Sequence, residues 1–305
     1  MKGANLYEMR TGIARRRFNK KESTIAYALL FPAIAFLILF MFYPVVNVIV
    51  MSFFKVDMLG RFKAFIGIGN YQLLFGNVKF WEIITRTVVW TVVGVLVKTV
   101  VGMIYALLLN VKFKGRKIAR TLLIIPWAAP VPISAILFLW VYNYDFGLLN
   151  HTLRLIGISN PPLWLAYTKT AFIAALYVDI WIGIPFMAVV FLAGLQAIPD
   201  ELYDAGAIDG AGVFNKFRYI TLPLIRPVLT VATLLSALWT FNDFSVIWIL
   251  TRGGPIDTTD ILITWIYKNY FVYYKPAIAA AAGTVTFVIL LVFSLLYARF
   301  YFKEE

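Results

Sequence analysis

Apolar residues in this chain come in long unbroken runs, separated by shorter segments that collect the charges. Six runs are long enough to cross a hydrocarbon layer of about 30 Å as helices. They cover residues 26–51, 86–109, 121–142, 170–193, 228–250 and 277–300. The first is the cleanest, since nothing between Ser23 and Phe54 is charged. It is too long for the apolar core of a signal peptide and continues through Tyr43-Pro44, so it reads as a span. The pattern predicts an all-α, polytopic membrane protein with six transmembrane helices. A tail over 1–25 precedes a single transmembrane domain over 26–305. No polar segment is long enough to fold as a separate soluble domain. The stretch "FIGIGNYQLLFGNVKFW" (Phe65–Trp81) predicts a short interfacial helix, serving as an aromatic belt or as a docking surface.

Composition sharpens this picture. Of 305 residues, 62% are hydrophobic and 14% charged, against about 25% charged in an ordinary soluble domain. The net charge of +13 is read as orientation by basic loops and not as a nucleic-acid surface. Lys2, Arg10, Arg15, Arg16, Arg17, Lys20 and Lys21 crowd the tail. Lys112, Lys114, Arg116, Lys117 and Arg120 follow the second run, Lys216 and Arg218 the fourth, and Arg299 and Lys303 the last. These segments belong on the cytoplasmic side, with both termini. There is no cysteine and a single histidine, His151. That excludes disulfides and thiolate metal sites, and no metal site or cofactor of the chain's own is expected. No phosphate-binding G-x-x-x-x-G-K-[ST], nucleophile elbow or H-E-x-x-H occurs. Energy for any work must come from an ion gradient or a partner protein.

One polar stretch stands apart: "ELYDAGAIDGAGVFNKFRYITLPLIRP", Glu201–Pro227. Asp200 is placed to cap a helix, with acids in the first turn at its positive end. Ala205, Gly206 and Ala207 give a small face. Asp209–Gly212 breaks the helix, and a second helix follows with Phe214, Phe217, Ile220 and Leu224 at helical spacing. Pro223 and Pro227 are expected to close it.

This segment resembles the EAA loop of permease subunits from binding-protein-dependent ABC importers. That pattern reads E-A-A-x-x-D-G-A and, after a spacer, I-x-L-P. Here Asp204-Ala205-Gly206-Ala207-Ile208-Asp209-Gly210-Ala211 is followed by Ile220-Thr221-Leu222-Pro223. Asp replaces the first Glu and Gly the second Ala. "FNDFSVIWILTRGGP" (Phe241–Pro255), "FIGIGNY" and "LAGLQAIPDELYDAGAIDGAG" are similar to sugar-importer permeases of the MalF type. The resemblance implies a type I importer permease in the cell (inner) membrane, with a cytoplasmic coupling loop at about 195–223. Glu201, Tyr203, Asp204, Ala205, Gly206, Asp209 and Gly210 would engage an ATPase. The implied partners are a second, MalG-like permease, two ATPase subunits that bind ATP and Mg, an extracytoplasmic solute-binding protein and a carbohydrate. The chain itself would not be an enzyme.

Ionisable groups inside spans mark a pathway by default. Lys98, Asp179 and Asp243 fall in the second, fourth and fifth runs. Carboxylates beside aromatics suit a sugar, because they accept hydroxyl hydrogen bonds while rings cover apolar ring faces. The resemblance places substrate contacts at Asp179, Ile182, Gly183 and Phe186, then Trp239, Thr240 and Asp243. Gly183 and Pro185 are expected to open their helix locally. Two alternatives stay open here. Lys98 could pair with either aspartate as a structural ion pair. The solute could be another, such as glycerol phosphate, or the chain an ion-coupled carrier or membrane-embedded transferase using Asp179 and Asp243.

Overall fold

A computed structural model describes residues 20–302; most of the basic tail lies outside the described residues. The amino-terminal unit is one apolar helical stretch. Helix α1 (Lys20–Leu37) passes through a π-turn, Ile38–Phe42, into α2 (Tyr43–Met51). The π-turn sits directly before Pro44. Its closing bond runs from the Tyr43 N–H to the Ile38 carbonyl, a wider loop than the α register. Proline lacks an N–H and its ring collides with the carbonyl four residues back. Widening the turn moves that carbonyl aside without ending the helix.

The second unit begins at Met51. Strands β1 (Phe54–Val56) and β2 (Phe62–Phe65) form an antiparallel hairpin, a small departure from the all-α expectation. Its turn uses Gly60 at φ +81°. Helix α3 (Gly69–Phe75) follows, so the aromatic stretch does hold a short helix. Val78–Trp81, however, already belong to α4 (Val78–Asn110), the second span. It starts earlier than hydropathy indicates because Lys79, Glu82 and Arg86 lie on its first turns without interrupting helical geometry.

The third apolar run is not one helix. α5 (Arg116–Ala128) and α6 (Val131–Val141) meet at 95°. Ala129 is extended and Pro130 follows it, which forbids a continuous bond ladder. The described residues thus hold five long apolar helices, or six spans if this bent pair counts as one. After α7 (Leu148–Leu155), α8 (Thr168–Gln196) forms the fourth span and runs intact through Pro185; the expected local opening is absent.

Helix α9 (Asp200–Ile208) is the expected short polar helix, although Pro199 and not Asp200 occupies its cap. Helix α10 (Val213–Lys216) and a π-turn (Phe217–Thr221) lead into α11 (Leu222–Phe241). The prolines do not close this helix. Pro223 sits in the first turn of α11, where its missing N–H costs no bond, again behind a π-turn. Pro227 is carried inside the helix. The break comes later, at Asn242–Phe244, before α12 (Ser245–Leu250). Helix α13 (Leu262–Tyr267) and α14 (Pro276–Phe302) complete the unit.

Helices α4 and α8 cross closely because glycine faces side chains. A Cβ on Gly102 would lie 2.6 Å from Met187 Cβ, and where α8 meets α11 one on Gly194 would lie 3.0 Å from Ile225. Small residues at crossings are how helices associate where solvent offers no hydrophobic drive. Around these crossings Met103, Ala106, Met187, Phe191 and Ile225 form one apolar cluster. Trp90, Ala175, Val178 and Ile247 centre a second, and Leu74, Phe80, Leu262 and Trp265 a third.

At the hairpin end an ion cluster ties the α12–α13 loop to α4. Lys268 Nζ lies 2.9 Å from Asp257 Oδ1 and 2.7 Å from Asp260 Oδ2, and Lys79 also pairs with Asp257. Arg86 donates to the carbonyls of Asp257 and Asp260 at 2.7 and 2.9 Å. Burial raises the Asp257 pKa, but hydrogen bonds from Lys79 and Lys268 outweigh it and bring it from 3.8 to about 2. A depressed carboxylate contributes stability above its unfolded pKa of about 3.9, lost as pH falls toward the folded value. The Asp257 contribution is therefore expected to hold unchanged from pH 7 to about 4 and to be lost only below that, while burial holds the neighbouring Asp260 carboxyl above its ordinary value. Limited acid proteolysis of the wild type against Asp257→Asn checks this; a difference between them that vanishes already at pH 5–6 would rule out the Asp257 clasp.

Candidate functional site

Between α4, α8, α11 and the α5–α6 bend lies a cavity of about 480 Å³. Asp179, Ile182, Gly183, Phe186, Trp239, Thr240 and Asp243 all line it. The periodicity explains why. On α8 the four residues fall at i, i+3, i+4 and i+7; on α11 Ser236, Trp239 and Thr240 fall at i, i+3 and i+4, and Asp243 follows just past the helix end. Each set is one helix face, and the two faces oppose each other across the cavity.

Its deep wall is an ion pair. Lys98 Nζ reaches in from α4 and donates to Asp179 Oδ1 and Thr240 Oγ1, both at 2.8 Å. Asp179 Oδ2 is 2.7 Å away as an ion contact without an aligned hydrogen bond. Lys98 and Asp179 are only 4% and 7% exposed, so the charges neutralise each other out of water. Two glycines make the space. A Cβ on Gly183 would sit 2.6 Å from Lys98 Cε, and one on Gly94 3.1 Å from Asp179 Oδ2. Gly183, expected as a ligand contact, thus also clears the lysine stem. Thr240 is anchored twice, since its carbonyl accepts from Trp90 Nε1 at 3.0 Å.

Asp243 stands in the break between α11 and α12. Its Oδ1 accepts from the Val246 N–H at 3.3 Å, and it forms no ion pair among the described residues. Irregular backbone at membrane depth is tolerated where it lines a cavity. Aromatic rings close the opposite side: Phe186 meets Trp239 edge-on at 4.9 Å, and Trp127 lies 5.9 Å from Phe186. Trp239 is 53% exposed. Sequence reasoning missed Trp127, Val131, Ser236, Asn242, Phe244 and Ser245. Trp127 follows Pro126 at the bend of the third run, and that Pro-Trp pair was the available signal. The site combines a carboxylate acceptor, hydroxyl and amide groups, and exposed ring faces. Among the described residues no group of His, Cys, Asp and Glu could hold a metal ion.

The coupling-type residues lie apart from the cavity. Glu201, Asp204, Ala205, Asp209 and Gly210 are exposed on α9 and its turn, while Tyr203 and Gly206 face inward. Tyr203 Oη shares a hydrogen bond of 3.0 Å with Thr221 Oγ1. A Cβ on Gly206 would come 2.9 Å from Ile220 Cδ1, so the departure from alanine makes room for isoleucine. Phe217 and Ile220 pack inward. Phe214, at the same helical spacing, is 72% exposed, as are Ile208 and Val213 at 87% and 88%. Those three apolar side chains cap the α9–α10 corner, where no other part of the described chain covers them.

A family model described as "Binding-protein-dependent transport system inner membrane component" matches residues 98–303. The chain is 37% identical to the trehalose/maltose transport system permease protein MalF of Thermococcus litoralis, over 92% of this chain and 94% of that one. It is 34% identical to the sulfoquinovosyl glycerol transport system permease protein SmoG of Agrobacterium fabrum, over 91% and 90%. Among solved structures it is similar to a bacterial ABC transporter involved in importing the acidic polysaccharide alginate. There the TM-score is 0.82 at 26% identity, covering 92% of this chain and 96% of that one.

Proposed function

Since this chain belongs to the binding-protein-dependent transport system inner membrane component family, as a permease subunit of an ABC importer, we propose that its cavity forms part of the pathway for a neutral saccharide. The observation that carries this reading is the meeting of seven substrate-type residues in one cavity, with an uncompensated carboxylate facing exposed aromatic rings. Asp243 would accept sugar hydroxyls, while Phe186 and Trp239 cover ring faces. Lys98 is spent on Asp179 and Thr240, so it is not free to neutralise an anionic solute. The remaining Asp243 would repel one in a low-dielectric site.

The chain would work beside a second, MalG-like permease and two ATPase subunits that bind ATP and Mg. An extracytoplasmic solute-binding protein would deliver the sugar at the hairpin end. The α9–α10 corner would be the ATPase contact on the cytoplasmic side, as the basic loops at that end suggest, with both termini cytoplasmic. Its exposed Ile208, Val213 and Phe214 supply apolar area, and Glu201, Asp204 and Asp209 the charges around it. Closure of the ATPase dimer would then be passed through α10 directly into α11, because no loop intervenes to absorb it.

Reconstitution with these partners tests the proposal. ATP-dependent uptake of a saccharide is expected, and Asp243→Ala should lower it roughly ten- to a hundred-fold, as for loss of a hydrogen bond to a charged group. Membrane abundance should be unaffected. Failure of any ATPase subunit to co-purify, or full uptake by Asp243→Ala, would overturn the reading.

A further inference from the structure

One wall of the cavity continues as aromatic rings toward the hairpin end. Phe244 lines the cavity and stacks on Trp248 at 5.3 Å. Trp248 meets Tyr267 edge-on at 4.7 Å, and Tyr267 also touches Phe244 at 4.9 Å. Phe271 lies 4.8 Å beyond Tyr267, and Tyr270 4.7 Å from Phe271. Tyr270 Oη lies 3.6 Å from where a Gly60 Cβ would stand, at the turn of the β1–β2 hairpin. Ring contacts therefore run without a gap from the cavity wall to the hairpin face.

The outer two rings are more exposed than the inner three. Phe244, Trp248 and Tyr267 are half-buried, and Tyr270 and Phe271 are 38% and 58% exposed. The polar tips are also unspent. Trp248 Nε1, Tyr267 Oη and Tyr270 Oη make no hydrogen bond within the described residues. Three packed aromatics elsewhere use theirs: Trp90 donates to the Thr240 carbonyl, Trp164 to Asn150, and Tyr142 to the Ala174 carbonyl. An interfacial belt would set such rings against lipid headgroups. It would not require the innermost ring to form the wall of a polar cavity.

We propose that Phe244, Trp248, Tyr267, Phe271 and Tyr270 form a stacking rail that receives the further sugar units of an oligosaccharide as it enters the cavity. Rings offer faces to each successive sugar, and the unspent indole and phenol groups bond to its hydroxyls. Stacking tolerates different sugars, so the rail sets preference for chain length more than for identity. This rests on the saccharide reading above.

The test uses the reconstituted importer with maltose and maltohexaose, and with cellobiose and cellohexaose, as probes. Trp248→Leu and Phe271→Leu should each raise the half-saturating concentration of the transported hexasaccharide about five- to tenfold and leave its disaccharide within twofold. Trp140→Leu, an exposed aromatic outside the rail, should change neither. Equal losses for both lengths at unchanged membrane abundance would make the rings a belt or a packing cluster and overturn the rail. So would unchanged hexasaccharide uptake, and in both cases the saccharide reading stands. If the wild-type importer moves none of the four probes, both readings fall together.

Discussion

Lys98→Ala is expected to deplete the protein from the membrane, well beyond any effect on uptake per molecule. Removing the ammonium leaves Asp179, 7% exposed, as an uncompensated buried charge beside Thr240. Breaking a buried pair by deleting one partner costs about 3–5 kcal/mol, a large share of the 5–15 kcal/mol that holds a typical domain folded. The double replacement Lys98→Met with Asp179→Leu keeps the volume and removes both charges, so abundance should return to near wild type. Uptake should recover with it, since both Asp179 oxygens already lie within 2.8 Å of Lys98 Nζ. Quantitative membrane immunoblotting and uptake in the same cells check both parts. Wild-type abundance in the single variant would remove the pair from the fold. Rescued abundance without rescued uptake would return Asp179 to direct substrate contact.

The pattern of apolar runs located five spans well because length and hydropathy alone decide whether a helix crosses a membrane. It could not see the 95° bend between α5 and α6, since Pro126, Pro130 and Pro132 interrupt a run that remains apolar throughout. The opposite error occurred at Pro223 and Pro227. Pro223 falls in the first turn behind the π-turn at Phe217–Thr221, and Pro227 is carried inside α11, because membrane helices tolerate proline where their surroundings re-satisfy the freed backbone groups. The substrate face was legible because i, i+3, i+4 spacing is a local property of α8 and α11. The partner of Lys98 was not. Choosing between Asp179 and Asp243 depends on how α4 and α8 approach, and that is set by Gly94, Gly183 and Gly102 across the interface. A glycine in a sequence does not announce which side chain it faces. Phe214 is a related case, because helical spacing identifies an apolar face without saying whether this chain or another covers it.

Gly210→Pro is expected to abolish transport-stimulated ATP hydrolysis while leaving the chain in the membrane at normal levels. Gly210 has φ +78°, and its N–H donates to the Ala207 carbonyl at 3.1 Å while the Ala211 N–H donates to Gly206 at 2.8 Å. This pair of bonds is the Schellman closure of α9, with glycine at the left-handed position. Proline fixes φ near −65° and has no N–H, so both elements of the closure fail. The effect stays local, because nothing lies within 4 Å of a Cβ placed on Gly210 and the apolar clusters do not involve it. What changes is the angle between α9 and α10, and with it the placement of Ile208, Val213 and Phe214. If this corner carries motion from an ATPase into α11, a misplaced α9 leaves basal hydrolysis and sugar binding intact but unlinked. Gly210→Ala, which keeps the N–H and costs only about 1–2 kcal/mol of left-handed strain, should retain part of the stimulation. ATPase rates of the reconstituted complex, with and without loaded binding protein, give the comparison. Full stimulation in Gly210→Pro would show that the corner is a passive turn and that coupling runs through another surface.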